Sequence, residues 1–163
     1  MAQNRDIKLC VVRLQAAWHY LKTHYALRYP EGPALILVET FRTAATQTAY
    51  FAQGRKPLTE VNRLREAAGL WPISAAENKR RITFKGPGGS KHEATDAHGR
   101  PASKAFDIGF TRAGEMVWDA VNYQRAARIL REAYPDLTWG ADWDRDGKTE
   151  DERFVDQPHF EVA

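Results

Sequence analysis

"ALILVETFRTAATQTAYFAQG", residues 34–54, is the stretch from which the fold is read. Ala34 to Phe41 is an apolar run bounded by "PEGP", the mark of a buried strand. It passes directly into a helical segment that Thr43 can cap and Gly54 can end. To the N-terminal side, Ile7, Cys10, Val11, Leu14, Trp18 and Leu21 recur at three- and four-residue steps and predict a helix with one buried face. To the C-terminal side, a helix is expected over Asn122 to Ala133, with Ala126, Ile129, Leu130 and Ala133 inward, stopping at Tyr134-Pro135 because the residue before a proline disfavours helical geometry. Short strands are expected at Arg81 to Lys85, Ala105 to Phe110 and His159 to Val162, while Lys56 to Arg80 reads as either a helix or an irregular excursion. This is the pattern of an α+β chain and not of a repeated βα unit.

Composition narrows the function classes. A chain of 163 residues, 43% hydrophobic, is sized for one domain with a real core, residues 1–163, leaving no room for a second, separate binding domain. Cys10 is the only cysteine, so no intramolecular disulfide forms, and a metal site must draw on His, Asp or Glu. The formal charge of +3 suits an anionic polymer without choosing between cell wall and nucleic acid. The opening residues lack the apolar core of a signal peptide, and no run approaches the roughly 20 residues of a membrane span. A soluble chain that begins in the cytoplasm is the expectation.

Chemistry concentrates in three places. In "GSKHEATDAHGRPASKAFDIGF", residues 89–110, His92 or His98 precedes Asp107, which falls on an expected strand. In "DQPHFEV", residues 156–162, Asp156 stands three before His159, with Pro158 arguing against a helix. Each pair alone is weak. Taken together, His92, Asp107 and His159 are the three protein ligands of a catalytic zinc that keeps a fourth position for water. Asp156 is then the carboxylate able to take that water's proton, and Arg42, after the first strand, a cation able to stabilise an oxyanion. The third place is "DWDRDGKTED", residues 142–151, where Asp142, Asp144 and Asp146 alternate and Gly147 permits a sharp turn, as in the first half of a calcium loop. The twelfth position of such a loop is Arg153 and not glutamate, so Asp151 is the candidate to close a shorter loop, with the Lys148 carbonyl between.

"VETFRTAATQTAYFAQGR", "SKH" followed by "KAFDI", "WGADW" and "DQPHFEV" occur in the order seen in the zinc D-alanyl-D-alanine carboxypeptidase and L-alanyl-D-glutamate endopeptidase family, which the chain resembles over about Val38 to Val162. The resemblance implies a small antiparallel sheet with flanking helices, of the Hedgehog and D,D-peptidase type. It also implies His92, Asp107 and His159 as zinc ligands, Asp156 as general base and Arg42 as the transition-state arginine. The family's compact motif Ser-x-His-x-x-Gly-x-Ala-x-Asp is lengthened here by an insertion, roughly "EATDAHGRP", and Ser103 stands where the motif glycine falls. Ser90 and Lys91 precede His92 as in the motif, which favours His92 over His98. Some phage members carry a calcium loop after the tryptophan motif, which adds calcium as a possible second cofactor.

The resulting expectation is a monomeric zinc hydrolase that cleaves peptidoglycan stem peptides. It is best matched to an L-alanyl-D-glutamate endopeptidase acting as a phage endolysin, held in the host cytoplasm until a holin opens the way to the periplasm and wall, with no nucleic acid as partner. The rivals are a D-alanyl-D-alanine carboxypeptidase or dipeptidase on the same scaffold, and a non-catalytic wall-binding module.

Overall fold

The computed structural model describes residues 4–163, and its sheet is organised around one strand. β1 (Ala34–Glu39) lies along one edge of β2 (Ala105–Arg112). The other edge of β2 takes β3 (Glu115–Val117) near its end and β5 (His159–Glu161) near its start, and β4 (Thr138–Trp139) adds outside β5. All pairings are antiparallel, in the order β1-β2-β5-β4. Helices α1 (Val12–Arg28) and α4 (Ala120–Ala133) pack together, and α2 (Ala44–Ala52) packs on α3 (Leu58–Ala67). The architecture is α+β, with a small antiparallel sheet and flanking helices.

Period-two alternation in β2 divides the sheet into two chemically different faces. Phe106, Ile108 and Phe110 are fully buried and join Leu14, Trp18, Leu21 and Tyr25 of α1 and Tyr123, Ala126, Ile129 and Leu130 of α4 in one core. Aromatic rings knit it: Phe106 meets Trp18 edge-on at 6.1 Å and stacks on Phe160 at 5.8 Å, while Phe110 meets Tyr123 edge-on at 5.0 Å. Asp107, between two of these core residues, projects to the opposite face. A bulge in β1 between Leu37 and Glu39 brings Glu39 opposite Asp107, re-aiming that strand's end as bulges do.

Several expected elements shift. The first helix starts at Val12, because the backbone before it is held elsewhere: Val11 N–H donates to the Ser103 carbonyl and Ser103 N–H to the Leu9 carbonyl. Thr43 caps α2 through its hydroxyl, and Gly54 follows the helix at φ 75°, as expected. Lys56 to Arg80 contains α3 and a short 3-10 turn at Glu77–Lys79. The strand expected at Arg81 to Lys85 does not form. That segment finds no partner strand; it is irregular, exposes Ile82 and Phe84, and is tethered by side chains from α2 and the residues that follow it. The two-residue β4 and three-residue β3 are too short to carry a sequence pattern.

Because Phe106 bridges α1 and β5 from the centre of the core, Phe106→Ala is predicted to cost about 3–5 kcal/mol of stability, read as a lowered urea midpoint at unchanged slope. A loss below about 1 kcal/mol would contradict this packing role.

Candidate metal centre

The site lies on the face of β2 opposite the core, and local structure delivers each of its residues. Asp107 and His159 are direct cross-strand partners of β2 and β5. Glu161, two residues beyond His159 on the same strand, shares its face. His92 arrives on a helical turn, Lys91–Glu93, whose "SKHE" sequence is a capping box: Ser90 and Glu93 each accept from the other's end of the turn. That turn is laid against the end of β1, with Arg42 N–H donating to the His92 carbonyl at 2.9 Å.

His92 Nε2, His159 Nδ1 and Asp107 Oδ1 converge, with separations of 3.3, 3.0 and 3.4 Å. A tetrahedral zinc with bonds of about 2.0–2.1 Å sets its ligand atoms about 3.3 Å apart. Hydrogen bonding also decides which nitrogens face inward. His92 Nδ1 lies 2.6 Å from the Thr40 carbonyl, an acceptor, so Nδ1 carries the proton and Nε2 presents a lone pair. His159 Nε2 lies 2.9 Å from Glu161 Oε2, so in the neutral ring Nδ1 is the free lone pair. Three lone-pair donors thus meet in a buried place where a shared cation satisfies all of them, and the donor set of two imidazoles and a carboxylate fits zinc.

Protons compete with a metal for the same cluster, because the carboxylates that surround His159 favour its charged form. Burial opposes charge on His159, yet its bonds to Asp107 and Glu161 and the nearby Asp156 push it up to about 10. Burial alone would raise the Asp107 carboxyl, but the pull of His92 and the hydrogen bonds from His159 and His92 hold it well below the usual carboxylate range. The Asp156 carboxyl is raised, first by burial and then by Asp107, against the lowering effects of His159, His92 and Arg42.

Asp156 is placed by a turn in which His159 N–H donates to the Asp156 carbonyl at 3.1 Å. The "WGADW" motif braces this turn. Trp139 Nε1 donates to the Gln157 carbonyl at 2.7 Å and Trp143 Nε1 to the Phe154 carbonyl at 2.8 Å. Between them Gly140 exchanges backbone bonds with Asp156 and His159, and a Cβ there would lie 2.3 Å from the Asp156 carbonyl oxygen. Only glycine fits that close approach.

Arg42 is buried. It donates to Glu39 and, at 2.8 Å, to Gln47 Oε1, and its guanidinium sits 4.9 Å over the Tyr50 ring. Its Nε is buried with no hydrogen-bond partner among the described residues. Gln47, fully buried, reaches on with Nε2 to the Lys85 carbonyl.

His98 is exposed, at the tip of the inserted loop. Thr95 and Pro101 pair antiparallel at its base, Asp96 accepts from the His98 and Arg100 backbones, and Gly99 turns at φ 75°. The insertion is a self-contained excursion, which leaves both ends of the motif in place. Sequence reasoning missed Glu161 and Thr40, which orient the two imidazoles. Glu161 was detectable from its i+2 spacing to His159; the Thr40 carbonyl carries no side-chain signal.

In the acidic loop, carboxylate oxygens of Asp142, Asp144 and Asp146 come within 4.8 Å of one another. Asp151 does not join them. Asp142 is buried and paired with Arg131, and Lys148 Nζ lies 3.2 Å from Asp146.

No protein-family model and no curated protein matches the chain. Among solved structures it is similar to the L-Ala D-Glu endopeptidase ChiX of Serratia marcescens, at 20% identity and a TM-score of 0.44, over 89% of this chain and 77% of that one. It is also similar to a mutant of the vancomycin-resistance D,D-pentapeptidase VanY in complex with Zn(II), at 17% identity and a TM-score of 0.42, over 90% and 70%.

The arrangement predicts that His92→Ala loses stoichiometric zinc while His98→Ala retains it, as measured by metal analysis after dialysis. Glu161→Gln, which leaves His159 without its carboxylate partner, should weaken zinc by about 10- to 100-fold. Equal retention by the two histidine variants would contradict the assignment.

Proposed function

We propose that the chain is a zinc peptidase that cleaves peptidoglycan stem peptides between L-alanine and D-glutamate. The observation that carries this reading is the convergence of three lone-pair donors, His92 Nε2, His159 Nδ1 and Asp107 Oδ1, with a half-buried carboxylate, Asp156, close enough to feel the charges of all three residues. A non-catalytic binding module has no use for such a carboxylate.

His92, Asp107 and His159 would hold the metal, with Glu161 and the Thr40 carbonyl fixing the two imidazoles. Zinc, when bound, supplies a Lewis acid that polarises the scissile carbonyl and lowers the pKa of water. Asp156 accepts the proton of the attacking water on its carboxylate and delivers it to the departing nitrogen. The raised pKa suits both halves of that transfer. Arg42 brings a buried positive charge, fixed by Glu39 and Gln47, whose field the Asp107 and Asp156 carboxyls share. Fixed before the reaction, that charge stabilises a developing oxyanion without reorganisation.

The proposal extends to a phage endolysin, a monomer made in the host cytoplasm and given access to the wall by a holin. Among the described residues no helix is long and apolar enough to cross a membrane. Calcium belongs to the same reading. Asp142, Asp144 and Asp146 would take the ion with the Lys148 carbonyl, and Asp142 would exchange Arg131 for it. The loop lies between the tryptophan motif and Asp156, so an ion there would stiffen the segment that carries the base.

Mass spectrometry of digested peptidoglycan tests the reaction. A new N-terminal D-glutamate is expected; released D-alanine would make the chain a carboxypeptidase, and no product would leave a binding module. Asp156→Ala is expected to keep zinc and lose about 10²- to 10⁴-fold in kcat. For calcium, a rise in thermal midpoint on titration is expected in the wild type and not in Asp144→Ala, and identical melting curves would rule the ion out.

A further inference from the structure

A row of aromatic rings runs outward from the metal centre. Trp143 lies 5.6 Å from the His159 ring, Phe154 stacks on Trp143 at 6.2 Å with planes 20° apart, and Phe84 meets Phe154 edge-on at 5.1 Å. The outer two rings are open to solvent, Phe84 at 61% and Phe154 at 45% exposure, although folding normally hides rings of this size. The row is also braced. Trp143 Nε1 holds the Phe154 carbonyl at 2.8 Å, Arg55 holds the Thr83 carbonyl at 3.0 Å, and Gln47, itself bound to Arg42, holds the Lys85 carbonyl. The two phenylalanines come from separate loops, and side-chain donors to the carbonyls of Phe154, Thr83 and Lys85 hold those loops in place before any ligand arrives.

We propose that Phe84 and Phe154 form a sugar-binding subsite, which takes the amino-sugar ring to which the stem peptide is attached. This rests on the peptidase reading above. The row begins at the His159 ring, so it borders the place where a substrate would meet the metal centre. The stem's own side chains near the cut are a methyl group and carboxylates, which offer nothing to two exposed rings. The amino sugar on the far side of L-alanine does, because a pyranose face presents polarised C–H groups to the electron-rich face of an aromatic ring. Each residue spans at most about 3.3–3.6 Å, so a cut beside L-alanine holds the sugar several residues closer to these rings than a cut at the distal end of the stem does.

The test compares the stem peptide with and without its disaccharide, and adds calorimetric titration of the free disaccharide. The wild type should cleave the sugar-bearing stem with the higher kcat/KM. A Phe84→Ala, Phe154→Ala double variant should lose about tenfold on that substrate, through KM, while cleaving the bare peptide as the wild type does, melting at the wild-type temperature, and no longer binding the disaccharide. Equal losses on both substrates, or no loss on either, would overturn the subsite. If the wild type cleaves neither substrate, the peptidase reading falls. Titration then decides the subsite by itself: disaccharide binding that the double variant abolishes upholds it, and no binding by the wild type overturns it.

Discussion

The structure depends on one constraint, the register between β2 and β5. With Phe106 opposite Phe160, both rings enter the core against Trp18 and Trp139; with Asp107 opposite His159, two polar groups meet on the other face. A slip of β5 by one residue would turn His159 in among the aromatic rings and Phe160 out, parting His159 from Asp107, so the core enforces the geometry of the site. Apolar burial, which has no directional chemistry of its own, thereby sets two ligand atoms 3.0 Å apart.

The remaining groups are added to this pair by backbone hydrogen bonds. The bulge in β1 and the bond from Arg42 N–H to the His92 carbonyl bring the second imidazole and the buried arginine to the same end of the sheet. Gly140, with no side chain, lets the tryptophan motif press directly on the turn that carries Asp156. Burial then acts on the assembled charges. It is the first cause raising the Asp156 carboxyl, and at Asp107 it is outweighed by two imidazoles. Two neighbouring carboxylates are thus driven in opposite directions, the division that the proposed roles of base and ligand require.

Much of this was legible in the sequence where local pattern and chemistry coincide. The strand into helix at residues 34–54, α4 and its stop before Pro135, and the strands bearing Asp107 and His159 follow from periodicity and capping. His92 stood out over His98 through the residues preceding it, and the capping box gives those residues a physical role. What escaped notice depends on three dimensions. Arg81 to Lys85 has the alternation of a strand, but a strand needs a partner edge, and side chains of Gln47 and Arg55 take its carbonyls instead. The acidic alternation at residues 142–146 does converge, but Asp151 stays apart and Arg131 and Lys148 neutralise part of the charge. The row from His159 to Phe84 joins residues far apart in sequence.

X-ray absorption at the zinc edge of the loaded protein tests the metal centre most directly. The account predicts a four-coordinate shell of nitrogen and oxygen at about 2.0–2.1 Å, with the outer scattering of two imidazoles. A six-coordinate oxygen shell, or a shell without imidazole scattering, would contradict it.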